Sequence, residues 1–412
     1  MKLVSAASAV DRDRRPHLNN GHVAEQVTEP ALRVAGLFAG IGGIERGLHA
    51  AGHETVVVCE IDEAARAVLA EQFPNVASEP DVTKMTGLPP VDLVAGGFPC
   101  QDLSQAGRTA GIRGTQSGLV GEVFRLLEKA PEVQWLLLEN VSFMLRLDRG
   151  RAMTHLTDSL SQLGYQWAYR VVDTRAFGLP QRRQRVILLA SKEHDPRDVL
   201  YADEAGQPEV VAGDGLAHGF YWTEGTRGLG WAIDAVPTLK GGSSLGIPSP
   251  PAIWMPGGEI VTPEIRDAER LQGFPKDWTQ AALEVTARRG ARWKLVGNAV
   301  SVPVAEWVGE RLRRPGEYDS SNDVELRRGV PWPSAAWGGA GQAFRADRST
   351  FPMQRPYQHL HTFLEFDTAP LSERATRGFL SRARASSLRF ADGFLDGVAA
   401  HLQRVEAAEI AA

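Results

Sequence analysis

Short apolar runs alternate with amphipathic stretches over residues 32–191 of the chain. The apolar runs predict six strands, at Arg33–Phe38, Thr55–Glu60, Val91–Gly96, Trp135–Leu138, Gln166–Asp173 and Arg185–Ala190. Apolar positions at helical spacing predict four helices between them, at Ile44–Ala51, Glu63–Gln72, Gly121–Lys129 and Met153–Leu163. Strands that alternate with helices predict an α/β fold with a doubly wound, mostly parallel sheet.

The pattern changes after residue 191, where Gly, Pro and acidic residues become frequent and predict a small, mainly β domain. Helical spacing returns at Glu264–Leu271, and a loop at Leu295–Pro303 leads into an amphipathic helix that ends near Arg313. Residues 314–370 show little periodicity, whereas Leu371–Ala411 predicts one or two terminal helices. We therefore divide the chain into a disordered leader (1–30), an α/β domain (31–192), a small domain (193–275), a return to the first domain (276–313) and a partly helical C-terminal extension (314–412).

Composition narrows the class of protein. The 412 residues carry a net charge of −5, which argues against a binder driven by basic tails but allows a local basic face. The two cysteines, Cys59 and Cys100, exclude a disulfide scaffold and an all-cysteine metal site. The sequence has no apolar run of the roughly 20 residues that a membrane span needs, and no signal peptide is apparent, so a cytoplasmic location is expected.

A glycine-rich turn, FAGIGG, follows the first predicted strand and precedes a helix. Such a turn lets a cofactor approach the backbone, with helix N–H groups pointing toward it. Glu60 ends the second predicted strand, where an acidic residue is placed to bind ribose hydroxyls. The pattern favours a nucleoside cofactor or an ordinary tight turn equally, and it does not distinguish NAD from S-adenosylmethionine.

Cys100 lies in the turn GGFPCQ, at the carboxyl end of a predicted strand, where open parallel sheets bind ligands. A thiol there is either exposed and reactive or merely structural. The following segment, Asp102 to Gly118, is glycine-rich and predicts a mobile loop that carries Arg108 and Arg113. Cys59, inside the run VVVCE, is expected to be an inert core thiol.

Glu139 follows the apolar run Trp135–Leu138, and QRRQR enters the last predicted strand of the α/β domain. An acid that ends a buried run is a candidate proton donor, although a helix cap or a surface acid has the same pattern. Arg183 and Arg185 are two residues apart and are expected on one strand face, where they would orient a carboxylate or a phosphate or remain solvated.

Six segments in this order resemble the motifs of bacterial DNA (cytosine-5) methyltransferases. They are FAGIGG, GGFPCQ, ENV, QRRQR, ERLQGFP at residues 269–275 and GNAVSVP at residues 297–303, spread over Leu32 to Arg313. The resemblance implies a Rossmann-like methyltransferase sheet that binds S-adenosylmethionine, a smaller target-recognition domain at 193–275 and a C-terminal extension of unassigned role.

The resemblance also implies a mechanism and a set of catalytic residues. Cys100 would add to carbon 6 of a cytosine flipped out of a specific duplex DNA sequence, so that carbon 5 becomes nucleophilic. Glu139 would protonate ring nitrogen 3, and Arg183 and Arg185 would hold the base and orient Glu139. The loop Gln101–Leu119 would close on the DNA. The base that removes the carbon-5 proton is not identified.

By the same resemblance, the cofactor pocket is formed by residues from six parts of the chain. Position 61 is Ile where the family often has an aromatic residue, and Val120-Gly121 replaces a commoner aromatic pair. The predicted cofactor residues are Phe38, Gly40, Gly42, Gly43, Ile44, Glu60, Ile61, Asp81, Val82, Pro99, Leu119, Asn298, Ala299 and Val300.

DNA recognition is expected from the small domain and the mobile loop. Arginine can read guanine in the major groove, and Thr238 belongs to a Thr-Leu pair that resembles the family's. Lys240–Ser244 is a candidate DNA-contacting loop, and the basic run Arg288, Arg289, Arg292, Lys294 is either a backbone contact or a solvated surface. The predicted DNA-binding residues are Gln101, Ser104, Arg108, Arg113, Arg227 and Thr238.

The expected partners are double-stranded DNA and the proteins of a restriction-modification or phage-defence system, and the chain is expected to be a monomer. An RNA (tRNA) cytosine-5 methyltransferase on the same scaffold is the alternative within the class. A non-catalytic DNA-binding regulator would keep the fold, but the presence of both Cys100 and Glu139 counts against it. An NAD-dependent oxidoreductase would need neither the PCQ nor the ENV element.

Overall fold

The computed structural model describes residues 28–98, 118–209, 215–241, 250–288 and 290–411. Most of the predicted leader therefore lies outside the described residues, as do the predicted site residues from Pro99 to Arg113. None of the helices in the described part of the chain combines the length and apolar character that crossing a membrane requires.

Seventeen strands and twelve α-helices are present in the described residues. The strands are β1 (Arg33–Leu37), β2 (Glu54–Cys59), β3 (Ala77–Glu79), β4 (Leu93–Gly96), β5 (Trp135–Val141), β6 (Gln166–Asp173), β7 (Gln181–Arg182), β8 (Gln184–Ser191), β9 (His218–Phe220), β10 (Ala232–Ile233), β11 (Val236–Pro237), β12 (Ala252–Trp254), β13 (Ile260–Thr262), β14 (Val324–Glu325), β15 (Ala335–Gly339), β16 (Gln342–Arg345) and β17 (Ala369–Pro370). The helices are α1 (Gly43–Ala50), α2 (Glu63–Gln72), α3 (Leu119–Lys129), α4 (Arg151–Gln162), α5 (Arg197–Leu200), α6 (Ile265–Arg270), α7 (Ala282–Val285), α8 (Ala291–Asn298), α9 (Val302–Arg313), α10 (Leu360–Phe363), α11 (Glu373–Arg384) and α12 (Phe394–Ala411). Short 3-10 helices occupy Val82–Lys84 and Thr174–Phe177, and Ser142–Gly150 contains 3-10 turns interrupted by non-helical backbone at Leu147–Arg149.

The main sheet has ten strands in the order β14-β16-β15-β6-β8-β5-β4-β1-β2-β3. Strands β3, β2, β1, β4 and β5 are parallel to one another, whereas β8 runs antiparallel to both β5 and β6. The predicted fold class, an α/β fold with a doubly wound, Rossmann-like sheet, is confirmed. The sheet is mixed rather than mostly parallel, because four of its strand pairs are parallel and five are antiparallel. Parallel strands need covering on both faces, and two separate clusters of buried apolar residues cover this sheet.

Helices occupy both faces of the main sheet. Val123, Leu127, Met153 and Leu156 belong to one buried cluster and come from α3 and α4. The other buried cluster contains apolar side chains of α1 and α9. Because β1, β4 and β5 are adjacent and parallel, their carboxyl ends lie along one edge of the sheet, which we call the catalytic edge.

Two sequence boundaries need correction. Strand β5 continues three residues beyond the predicted Leu138, so Glu139 lies inside the strand and pairs with Ile187 rather than following it. The predicted loop at Leu295–Pro303 is shorter, because α8 extends to Asn298 and α9 begins at Val302.

The small sheet has five antiparallel strands in the order β10-β9-β12-β13-β17. Its strands are only two or three residues long, as the irregular sequence indicates. Phe220, Ile260, Phe379, Phe394 and Val398 share its buried cluster, so α11 and α12 cover this sheet.

The C-terminal extension divides between the two sheets. Strand β15 pairs antiparallel with β6, which lets β14–β16 lengthen the main sheet. Strand β17 pairs with β13 of the small sheet, next to the helices that cover it. The extension therefore contributes to both sheets.

Candidate active site

The glycine turn and Glu60 come together at the catalytic edge. Phe38 and Gly40 both have φ of 56°, a left-handed conformation that glycine adopts without strain. The Gly40 N–H donates to Glu60 Oε2 at 2.7 Å, and the Asp62 N–H donates to Oε1 at 2.8 Å. A Cβ added at Gly40 would meet no atom within 4 Å, so one side of the turn is open.

The other predicted cofactor residues divide into exposed and buried groups. Ile61 is 74% exposed, although it is a large apolar residue beside Glu60. Asp81 caps a 3-10 turn by accepting from the Thr83 N–H, and Val82 is buried behind it. Gly42 caps the start of α1, and Leu119 is the first residue of α3. At the end of α8, the side chain of Asn298 is exposed, whereas that of Ala299 is buried.

Three motifs meet at one small cavity below this turn. Ile44, Glu139 and Val300 are among its lining residues. A Cβ on Gly43 would overlap the carbonyl oxygen of Val300, so α1 and the segment after α8 are in direct backbone contact. The first, third and last motifs of the sequence are therefore spatial neighbours.

Glu139 forms an ion pair with Arg185, with Arg185 Nε 2.9 Å from Glu139 Oε1. Both side chains are largely buried, and a Cβ on Gly97 would lie 3.3 Å from Glu139 Oε2. Burial lowers the pKa of Arg185, and the charge of Glu139 opposes that change. The carboxylate is thus fixed beside the end of β4 by an arginine from the antiparallel strand β8.

Arg183 has different partners from Arg185. Its guanidinium is buried, and it donates to the carbonyl oxygens of Leu239 at 3.3 Å, Gly297 at 3.2 Å and Ala299 at 2.6 Å. Burial lowers its pKa, and the nearby charge of Arg185 adds to that effect. Arg183 lies between β7 and β8 and does not share the Glu139 carboxylate with Arg185. Its side chain instead joins its own segment to the one that contains Leu239 and to the one that contains Gly297 and Ala299.

Buried amides connect the motifs further. Gln181 accepts from the Leu239 N–H at 3.0 Å and donates to the Leu271 carbonyl at 2.7 Å. Gln272 donates to the Val296 carbonyl at 2.9 Å and accepts from the Ser301 hydroxyl at 2.6 Å. The sequence analysis assigned no role to Gln272 or Ser301, although polar residues next to apolar positions are a signal for such pairing.

Asn140 is a second residue that the sequence analysis did not assign. Its Nδ2 donates to the Phe98 carbonyl at 3.0 Å, and both groups are buried. This bond joins the end of β4 to β5, beside Glu139. It fixes the direction in which the chain leaves β4 toward Cys100, whose own position lies outside the described residues.

The predicted DNA readers are only partly at a free surface. Arg227 is exposed in a tight turn closed by the Gly225 N–H and the Gly228 carbonyl, 2.9 Å apart. The hydroxyl of Thr238 donates to the Arg182 carbonyl at 2.9 Å. Arg292 pairs with buried Glu269, and Lys294 pairs with Asp62, so these two residues of the basic run are already matched by acids.

Cys59 is buried at the end of β2. Burial, together with the charges of nearby carboxylates, Glu60 first among them, raises the pKa of its thiol to about 12. The thiol is therefore protonated at neutral pH and unreactive. This agrees with the prediction of an inert core thiol.

The chain is similar to DNA-modifying enzymes over most of its length. A family model described as C-5 cytosine-specific DNA methylase matches residues 32–210 and 262–314. Type II methyltransferase M2.BsuMI of Bacillus subtilis (strain 168) is 51% identical over 379 residues, which cover 89% of this chain and 97% of that protein. Type II methyltransferase M.NgoBI of Neisseria gonorrhoeae is 30% identical and covers 66% of this chain and 89% of its own length.

Solved structures include a Dnmt2 methyltransferase of S. pombe, 18% identical, with a TM-score of 0.48. The match covers 68% of this chain and 98% of that one. The family model omits residues 211–261, where β9, β10, β12 and most of β13 of the small sheet lie.

Proposed function

Because the chain belongs to the C-5 cytosine-specific DNA methylase family, we propose that it methylates carbon 5 of a cytosine within a specific duplex DNA sequence. The similarity to Type II methyltransferases supports a role in a bacterial restriction-modification system. Since its substrate would be chromosomal DNA, we expect it to act in the cytoplasm, as a monomer.

The observation that carries the proposal is the ion pair of Glu139 and Arg185 beside Gly97. It puts the fixed, largely buried carboxyl group of Glu139 beside Gly97, which is three residues before Cys100 in the chain. A proton donor next to a thiol is the pair of groups that cytosine-5 chemistry requires.

In the proposed reaction the thiolate of Cys100 forms a bond to carbon 6 of cytosine, and the electrons of the C5–C6 double bond move to carbon 5. Glu139 holds a proton at ring nitrogen 3, which neutralises the charge that develops on the ring. After methyl transfer, a base removes the proton from carbon 5, the double bond reforms and the bond to Cys100 breaks. Arg185 keeps Glu139 in place, and Arg183 positions the backbone around them.

The residues at the glycine turn fit S-adenosylmethionine. The open side of Gly40, the Glu60 carboxylate and the exposed apolar side chain of Ile61 suit an adenosine group. Phe38, Asp81, Val82 and Asn298 would complete the pocket. When bound, the cofactor supplies the methyl group as an electrophilic sulfonium substituent.

Access to the ring requires that the target cytosine leave the base stack, because its carbon 6 and carbon 5 are covered inside a duplex. Arg227, exposed at the tip of its turn, is the candidate base reader in the small domain. The loop that contains Gln101, Ser104, Arg108 and Arg113 would close over the flipped base.

The test is methyl transfer from labelled S-adenosylmethionine to duplex DNA and, separately, to tRNA, followed by bisulfite sequencing. We expect methylated DNA, untouched tRNA and a single mapped sequence. Cys100→Ser should abolish turnover, and a duplex with 5-fluorocytosine at the mapped site should trap a covalent adduct. Methylated tRNA with unmodified DNA would overturn the proposal that duplex DNA is the substrate. An active enzyme that traps no adduct would overturn the thiolate mechanism.

A further inference from the structure

A groove of about 260 Å³ runs between helix α4 and the segment Leu326–Trp332 of the C-terminal extension. Its floor includes the aromatic residues Trp167 and Trp332. Four arginines line it, two from each side, and they define what we call the basic groove: Arg149, Arg151, Arg327 and Arg328.

One end of the basic groove lies at the catalytic edge of the main sheet. Trp332 Nε1 donates to the Gly150 carbonyl at 3.1 Å, and the Val171 N–H donates to the Ser334 carbonyl at 2.7 Å. Val172 and Val141 both pair with Arg185, the partner of Glu139. The end of the groove that contains Gly150 and Trp332 is therefore the end nearer to the edge where the target base would be bound.

The arginines of the groove are mostly unmatched by acids. Arg149, Arg327 and Arg328 are exposed, and none of them has an ion pair or a side-chain hydrogen bond within the described part of the chain. Arg151 pairs with Asp148 at 2.6 Å, and Asp158 is the other acid near the wall. The surplus of positive charge is local, because the whole protein has a net charge of −5.

We propose that the basic groove binds the phosphate backbone of the duplex that flanks the target base, which rests on the proposed function. Arginines on both walls can contact successive phosphates of a long polyanion. Phe143, 61% exposed just after β5, belongs to the same segment, Ser142–Gly150, as Arg149 of the groove. The C-terminal extension thereby lengthens the DNA footprint beyond the residues that the family model matches.

The test compares Arg327→Ala/Arg328→Ala with the unaltered protein for binding to a labelled 40-base-pair random-sequence duplex at a series of salt concentrations. Each lost phosphate contact lowers the slope of log K against log salt by about 0.9, so we expect the slope to fall by roughly 1.8. Arg327→Lys/Arg328→Lys keeps both charges and should restore most of the slope. Both positions are exposed, so the thermal midpoint should not change.

Lys129→Ala/Arg314→Ala is the matched control, since it removes two exposed cations at the opposite edge of the sheet, near the starts of β5 and β1. We expect the control to keep the slope of the unaltered protein. If the unaltered protein binds and methylates DNA but Arg327→Ala/Arg328→Ala keeps its slope, the basic groove is overturned and the proposed function stands. If the folded, unaltered protein neither binds nor methylates duplex DNA, both proposals fail.

Discussion

Glu45 is a buried carboxyl group that the proposed chemistry does not use. It lies in the first turn of α1, is 1% exposed, and neither carboxyl oxygen has a hydrogen-bond partner among the described residues. Burial raises its pKa to about 7, and the charge of Glu60 adds to this effect. Ionisation of Glu45 above that pH puts an unsolvated charge behind the glycine turn.

Glu45→Gln should therefore flatten the dependence of stability on pH. In the unfolded chain this carboxyl ionises near pH 4.5, whereas the folded state keeps the proton up to about pH 7. The stabilisation from the retained proton is complete below pH 4.5 and is lost as the pH rises to about 7, on the order of 3 kcal/mol in total. Urea unfolding at pH 5 and pH 8 measures it, with exposed Glu54→Gln as the control. Equal pH dependence in Glu45→Gln and the unaltered protein would contradict the assignment.

The two arginines of QRRQR should separate stability from catalysis. Arg183→Lys leaves at least one of three buried carbonyls without its donor, which costs roughly 1–3 kcal/mol, and should lower the thermal midpoint. Arg185→Lys keeps the charge but loses the fixed geometry toward Glu139, and should lower kcat at least about tenfold with a smaller loss of stability. Thermal denaturation and methyl transfer on both variants check this. The reverse pattern would mean that Arg183 acts on the base directly.

At the scale of elements, the sequence predicted what local periodicity controls. All six predicted strands and all four predicted helices of the α/β domain are present, with their ends displaced by at most three residues. Strand β15 escaped prediction because its pairing with β6 joins residues about 165 positions apart. Strands β14 and β16 pair nearby, but short strands of mixed polarity have no local signal.

The candidate site was predictable to a similar depth. Motif order identified Glu139 and Arg185 and thus the ion pair between them. It did not distinguish the role of Arg183 from that of Arg185. The two arginines are two residues apart, but the strand begins only at Gln184, so Arg183 lies outside it, and the spacing alone cannot show this. The role of Gln272 is invisible locally, since its partners belong to the segment from Val296 to Ser301.

Gly297 tests how closely the elements of the site must approach. A Cβ at this position in α8 would overlap the backbone of Lys240 and Gly241, and backbone atoms cannot move aside as a flexible side chain can. Gly297→Ala should destabilise the protein by roughly 1–3 kcal/mol and reduce methyl transfer by displacing the Leu239 and Ala299 carbonyls from Arg183. Gly87→Ala, where a Cβ would meet no atom within 4 Å, is the control for denaturation and activity assays. Unchanged stability in Gly297→Ala would show that the segment is not held there.

At the scale of the whole molecule, the C-terminal extension connects the two sheets. Its first part joins the main sheet through β15, and its last part covers the small sheet with α11 and α12. The buried cluster under these helices contains no residue of the glycine turn or of β4 and β5. Damage to that cluster should therefore affect DNA recognition before cofactor binding.

Phe394→Ala tests this separation. The ring of Phe394 is fully buried, with centroids 5.1 Å from Phe220, 4.9 Å from Trp231 and 5.6 Å from Trp254. Removing such a ring costs about 3–5 kcal/mol, so the small sheet should open locally while the main sheet stays folded. We expect faster hydrogen exchange in β9, β12 and β13, weaker DNA binding and unchanged S-adenosylmethionine affinity.

Ile410→Ala, on the same helix but 88% exposed, should leave all of these measurements unchanged. Exchange that rises equally in β1, β4 and β5 of Phe394→Ala would mean that the two sheets unfold as one unit. In that case the extension would couple them energetically, because β15 and α12 are parts of one continuous segment. The exchange pattern thus decides whether the small sheet can lose its order while the cofactor site remains intact.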